Sequence, residues 1–135
     1  MAVLDRNAIL GAKDLPSETV DVPEWGGQVI VRTLTGEERD QYESSMIDIV
    51  GEGSRRQAVP NMENLRATLC ALTIVDDEGE RLFTTDDIIE LGHKSASALD
   101  KIFEVARRLS GLSEADIEEL AQGLEPTPSV GTLSS

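Results

Sequence analysis

The sequence predicts an α+β fold, predominantly helical, in which a small N-terminal β-hairpin packs with three or four helices. Three observations carry that prediction. Valines alternate with other residues on either side of Gly26-Gly27. Apolar residues then recur at helical spacing behind capping threonines and serines. No segment repeats, which excludes a solenoid. The 135 residues suit one domain, read as 1–124, followed by a disordered tail at 125–135. Hydrophobic residues make up 39% and aromatics only 3%, so the core must be aliphatic.

The hairpin falls within residues 20–34. Val20 and Val22, then Val29 and Val31, alternate as strands with one buried face do, and Gly26-Gly27 supplies the positive-φ positions of a tight turn. Pro23 has no amide to donate to a ladder, so the first strand is an edge or bends there. Thr35 begins Thr-Gly-Glu-Glu, a capping box in which its hydroxyl caps the amide three residues on and Glu38 reaches back. A helix is predicted from Gly36 to about Val50, with Tyr42, Met46, Ile49 and Val50 on one face. Residues 51–60, with two glycines and a closing proline, read as a mobile loop.

A second helix covers Met62, Leu65, Leu69 and Leu72. After it, β-favouring runs flank an Asp-Asp-Glu-Gly turn at 76–79, which predicts a second, smaller hairpin. Thr84 or Thr85 caps a short helix through Asp87 to Leu91, and Gly92 ends it in the left-handed conformation. The third long helix runs from about Ser95 to Leu109, with Leu99, Ile102, Phe103, Ala106 and Leu109 on one stripe and Gly111 as its stop. Ser113 to Asp116 opens a last helix carrying Ile117, Leu120, Ala121 and Leu124. Beyond it two prolines and no periodicity mark the disordered tail.

Twelve basic and 26 acidic residues give a net charge of −14, which argues against nucleic-acid and anionic-membrane partners, since both need clustered Lys and Arg. The single cysteine, Cys70, permits no internal disulfide and reads as a small buried apolar residue. Phosphate-loop, dinucleotide, zinc-protease and serine-hydrolase motifs are absent, and one histidine leaves little for acid–base work. No catalytic residue, metal ligand or cofactor is therefore predicted, and the chain is not read as an enzyme. His93 is a turn or capping residue. The acidic run from Asp76 to Glu90 fails the calcium-loop pattern, because aligning Gly79 with the loop glycine puts Ile74 at the first ligand position. Asp5, Arg6 and Asn7 interrupt any apolar leader and no stretch approaches 18 apolar residues, so a soluble cytoplasmic protein is expected.

What remains is apolar surface. In the third long helix Val105 and Ala98 lie beside Ile102 and Leu109, widening the apolar arc to about half the circumference. Such a helix is either central or receives a partner. The stripe Ile117, Leu120 and Leu124 caps the core or docks on another chain. Trp25, at the hairpin turn, is a core plug or an exposed anchor. These five, Trp25, Val105, Ile117, Leu120 and Leu124, are the candidate partner-binding residues.

The ordered string of segments adds a resemblance. The VPEWGG hairpin, LTGEERD, the NLRA helix, VDDEGERLF and KSASALDKIFEVARRLSGLS, in that order, resemble the phage tail assembly chaperones of long-tailed bacteriophages and prophages over roughly residues 8–122. None of these segments is a catalytic signature; order and spacing carry the likeness. The resemblance implies a non-catalytic chaperone-like domain whose partners are the tape measure protein, held soluble, and the tail tube protein, brought to it. It implies action in the host cytoplasm and absence from the mature virion. Self-association is a further interaction left open. Two rivals stand beside it: an acidic DNA mimic that inhibits a DNA-binding host protein, and a structural minor tail component. Against the mimic, acidic residues share faces with arginines such as Arg107 and Arg108.

Overall fold

The structure is a computed structural model and describes residues 2–112. It combines helices with two small sheets, an α+β arrangement. A short helix α1 (Arg6–Gly11) comes first, its Ala8 amide capped at 2.8 Å by the Asp5 carboxylate. The apolar pattern did not predict it, because none of its residues is buried and no stripe marks it.

Strands β1 (Ser17–Val22) and β2 (Gly27–Arg32) form the expected antiparallel hairpin, with Val20 opposite Val29 and Val22 opposite Gly27. Val20, Val22 and Val31 are buried on one face. The turn differs from expectation. Pro23–Trp25 makes a 3₁₀ turn, only Gly26 takes a positive φ (78°), and Gly27 already lies in the ladder. The fixed φ of Pro23 suits the first position of a helical turn. That lengthens the connection, and one left-handed residue then closes it.

Helix α2 (Gly36–Ser45) carries the predicted capping box: Thr35 Oγ1 accepts from the Glu38 amide at 3.1 Å and Glu38 Oε1 accepts from the Thr35 amide at 3.0 Å. The helix stops five residues short of the predicted Val50, at Ser45. Strand β3 (Ile47–Val50) follows and pairs antiparallel with β4 (Gln57–Pro60), so the expected mobile loop is a turn and a returning strand. Branched Ile47, Ile49 and Val50 favour a pleated strand over a helix end. Gly51, at φ 88°, permits the turn, since a side chain there would collide with the Arg55 carbonyl. Tyr42 and Met46 are buried as expected, whereas Ile49 and Val50 are 56% and 42% exposed.

Helix α3 (Leu65–Thr73) begins after Asn64, which sits at φ 60°. A left-handed residue cannot belong to the helix, so Met62 falls outside it and is exposed. The expected second hairpin is reduced. Strand β5 (Ile74–Val75) joins the first sheet beside β2, in the order β1-β2-β5, and its own return is a single bridge from Val75 to Arg81. The Asp76 carboxylate closes the acidic turn by accepting from the Glu78 and Glu80 amides at 2.8 and 3.0 Å.

Thr84 caps a 3₁₀ turn (Thr85–Asp87) that leads into α4 (Ile88–Leu91). Gly92 is right-handed, with φ −64°, rather than left-handed. A Cβ there would meet Asn64 Oδ1, a side-chain end that can turn aside, at 2.9 Å and the Ile89 carbonyl oxygen at 3.3 Å, so the position is tight without requiring glycine. Helix α5 (Ala96–Leu109) starts at Ser95, whose hydroxyl accepts from the Ala98 amide at 3.3 Å, and stops before Gly111 at φ 72°. It packs against α3 on one side and the β1–β2 hairpin on the other, which accounts for its wide apolar arc. The predicted last helix from Ser113 and the tail at 125–135 lie outside the described residues.

One buried charge cluster ties the layers together. Glu38 pairs with Arg32 of β2 at 2.6 Å and lies 3.9 Å from Arg81, while Arg32 also donates to the Gly79 carbonyl at 3.3 Å. Helix, hairpin and acidic turn thus share one carboxylate.

Candidate functional site

An apolar opening with polar groups at its rim is built from two distant stretches. Trp25 comes from the 3₁₀ turn between β1 and β2; Phe83, Asp87, Glu90, Leu91, His93 and Lys94 come from the segment around α4. The cleft between them measures about 490 Å³. Trp25 and Phe83 are half-buried, each with its inner side against the core. The chain has one Trp, one Tyr and two Phe, so half of its aromatic residues line this one opening.

Both walls are held from behind. The Glu24 carboxylate accepts from the Ser97 hydroxyl and from Lys101 Nζ, the latter at 3.0 Å, which pins the hairpin turn to the first turns of α5. The Ser97 hydrogen bond, then a backbone amide and Lys101, hold the Glu24 carboxyl down at about 2. On the other wall the Asp87 carboxylate accepts from the Thr84 amide at 2.9 Å, closing a reciprocal cap. The Glu90, His93 and Lys94 side chains make no hydrogen bond or ion pair among the described residues. Ile89, also on α4, is 65% exposed.

Such a cleft can take an apolar side chain. Cys70 lies elsewhere, in α3 against α5, its Sγ 3.7 Å from the Leu99 carbonyl; burial pushes its thiol up to about 12. Among the described residues no group of three or more His, Cys, Asp or Glu is placed to hold a metal, and no helix is long and apolar enough to cross a membrane.

Of the five candidate partner-binding residues, Trp25 lies at the cleft and Val105 is half-buried against the core on α5. Ile117, Leu120 and Leu124 lie outside the described residues. Sequence reasoning singled out Trp25 but not Phe83, Glu90 or Leu91, and it read His93 only as a turn residue. The signal that brings them together is tertiary: α4 reaches the hairpin turn because α3 packs on both α4 and α5. Further apolar residues stand exposed on the β3–β4 hairpin (Ile49, Val50) and on the N-terminal segment (Val3, Leu4, Ile9, Leu10).

No curated protein sequence matches the chain. The solved structure of the bacteriophage HK97 tail assembly chaperone matches it with a TM-score of 0.54 at 17% identity, over 76% of this chain and 94% of that one. At that identity the likeness is one of fold. The sequence profile described as phage tail assembly chaperone matches residues 6–122, a span that takes in both hairpins, all of α2 to α5 and the segment just beyond. A match over that much of the chain, on a fold shared with the HK97 protein, shows that this chain belongs to the phage tail assembly chaperone family.

Proposed function

We propose that the protein is a non-catalytic assembly factor that binds the tape measure protein, keeps it soluble, and brings tail tube subunits to it. It acts in the host cytoplasm and is left out of the mature virion. Family membership supports the assembly role. The observation that carries the binding mode is uncovered apolar surface on a chain of net charge −14. Apolar surface covers the client's hydrophobic helices, while like charge keeps loaded complexes apart. Trp25 is the anchor at the cleft, and the stripe Ile117, Leu120 and Leu124 is a second apolar contact.

The DNA-mimic reading has less support. Glu18, Glu43, Asp100 and Glu104 each pair with an arginine, which breaks any continuous row of carboxylates. Co-expression with the tape measure protein tests the proposal: its soluble yield rises and the two co-purify. Because the attraction is apolar, the complex survives about 1 M salt, where the Debye length is about 3 Å. Unchanged solubility with no complex would sink the reading, and a complex that dissolves in salt would move the contact to the charged faces.

A further inference from the structure

We propose that the cleft between Trp25 and Phe83 is a socket for one large apolar side chain on an amphipathic helix of the client, with a basic residue of that helix about one turn away facing Glu90. The inference rests on the assembly role above and gives its binding site a chemistry. Three features of the cleft select this occupant.

The first is composition. In a chain whose core is almost wholly aliphatic, Trp25 and Phe83 are placed at an opening, with their inner sides packed and their outer sides free. Aromatic side chains in partly desolvated pockets are where interface energy concentrates. The second is rigidity. Glu24 on Ser97 and Lys101 fixes one wall, and the Thr84–Asp87 cap fixes the other, so an incoming side chain orders little on arrival. Among the described residues the lining comes from helical turns, a helix end and the loop beside them, and none of it lies in a strand that could pair an extended peptide. An inserted side chain from a helix is the mode that fits.

The third feature is charge. The lining holds Asp87 and Glu90 against Lys94. Asp87 is held by the Thr84 amide but keeps its charge, and Glu90 and Lys94 are both unpaired among the described residues, so two carboxylates stand against one ammonium. On a chain of net charge −14 a free carboxylate at the rim of an apolar socket favours Lys or Arg beside the anchor and opposes Asp or Glu there.

Trp25 is the chain's single tryptophan, so its emission reports on this cleft alone. The experiment titrates the full-length protein with tryptophan-free helical peptides tiling the tape measure protein. A peptide with an apolar residue and Lys or Arg three or four positions away should shift the emission to the blue and saturate. Phe83→Ala, with its fold checked by circular dichroism, and the exposed Glu90→Lys should each weaken that peptide by about tenfold or more. Replacing the peptide's basic residue with Glu should restore binding to Glu90→Lys, while Glu63→Gln, exposed and outside the cleft, should leave binding unchanged. Peptides or whole tape measure protein that bind with unaltered Trp25 emission and no effect of Glu90→Lys would overturn the socket and leave the assembly role standing. Acidic peptides binding as well as basic ones would overturn its chemistry. Absence of any complex with the whole tape measure protein would overturn the assembly role and the socket together.

Discussion

The β1–β2 and β3–β4 hairpins are built from similar material, Val and Ile alternating around a glycine-bearing turn, yet the first buries Val20, Val22 and Val31 while the second leaves Ile49 and Val50 56% and 42% exposed. Their ladders are both antiparallel and both regular. What differs is the covering. Helix α5 lies across the first hairpin, whereas the second touches mainly the end of α2. A one-residue slip in β1 would turn Thr19 and Asp21 into the core, so burial enforces its register. In β3–β4 the register rests on the ladder and on the Asn61 side chain, which donates to Asp48 at 3.0 Å. Strand propensity therefore makes a hairpin, but a later helix decides whether it becomes core or surface.

Removing the cover should have the largest effect. Ile102, fully buried in α5, is predicted to cost about 2–5 kcal/mol as Ile102→Ala, read from urea denaturation. A loss under about 1 kcal/mol would show that α5 is not what holds the first hairpin. The buried carboxylate comes next. Glu38→Ala leaves Arg32 of β2 without its partner and should cost about 3 kcal/mol, with Glu38→Gln milder because the Thr35 cap survives. Near-native stability of Glu38→Ala would detach the first hairpin from α2.

The second hairpin should respond far less. Ile49→Ala is expected to change stability by less than about 0.5 kcal/mol, and the β3–β4 amides should exchange hydrogen well before those of β1–β2. Equal protection of the two hairpins would mean that something covers the second. The smallest effect belongs to Glu24, which pins only the first hairpin's turn. Its carboxyl is lowered from an ordinary 4.5 to about 2, chiefly by the Ser97 hydrogen bond, so its contribution is present above pH 4.5 and fades as pH falls towards 2. The gap in melting temperature between the wild type and Glu24→Gln should narrow across that window; a gap that stays constant would mean that the pin does not form.

The sequence announced what is settled within a few residues. Thr35 and Glu38 make a capping box because both partners lie in one turn, and the valine alternation around Gly26 already implied one buried strand face. It misled where two periodicities overlap: Tyr42 and Met46 start a helical stripe that Ile49 and Val50 appear to continue, and only pairing with Gln57–Pro60 ends it. Gly92 looked like a left-handed stop because glycine commonly serves there, but it keeps a right-handed φ and packs close to Asn64, a neighbour far back in the chain. The cleft was half legible for the same reason. Trp25 stands out as the lone tryptophan at a turn, while Phe83, Glu90 and Leu91 acquire meaning only once α3 has brought α4 to the hairpin.

The single cysteine gives the interior its own clock. Cys70 is fully buried where α3 meets α5, and burial holds its thiol protonated at neutral pH. An alkylating reagent needs a thiolate it can reach, so modification must wait until those helices separate. At low reagent the rate reads the equilibrium for that opening; at high reagent it reads how often the helices part. One native residue thus times the breathing of the core, without a label being introduced.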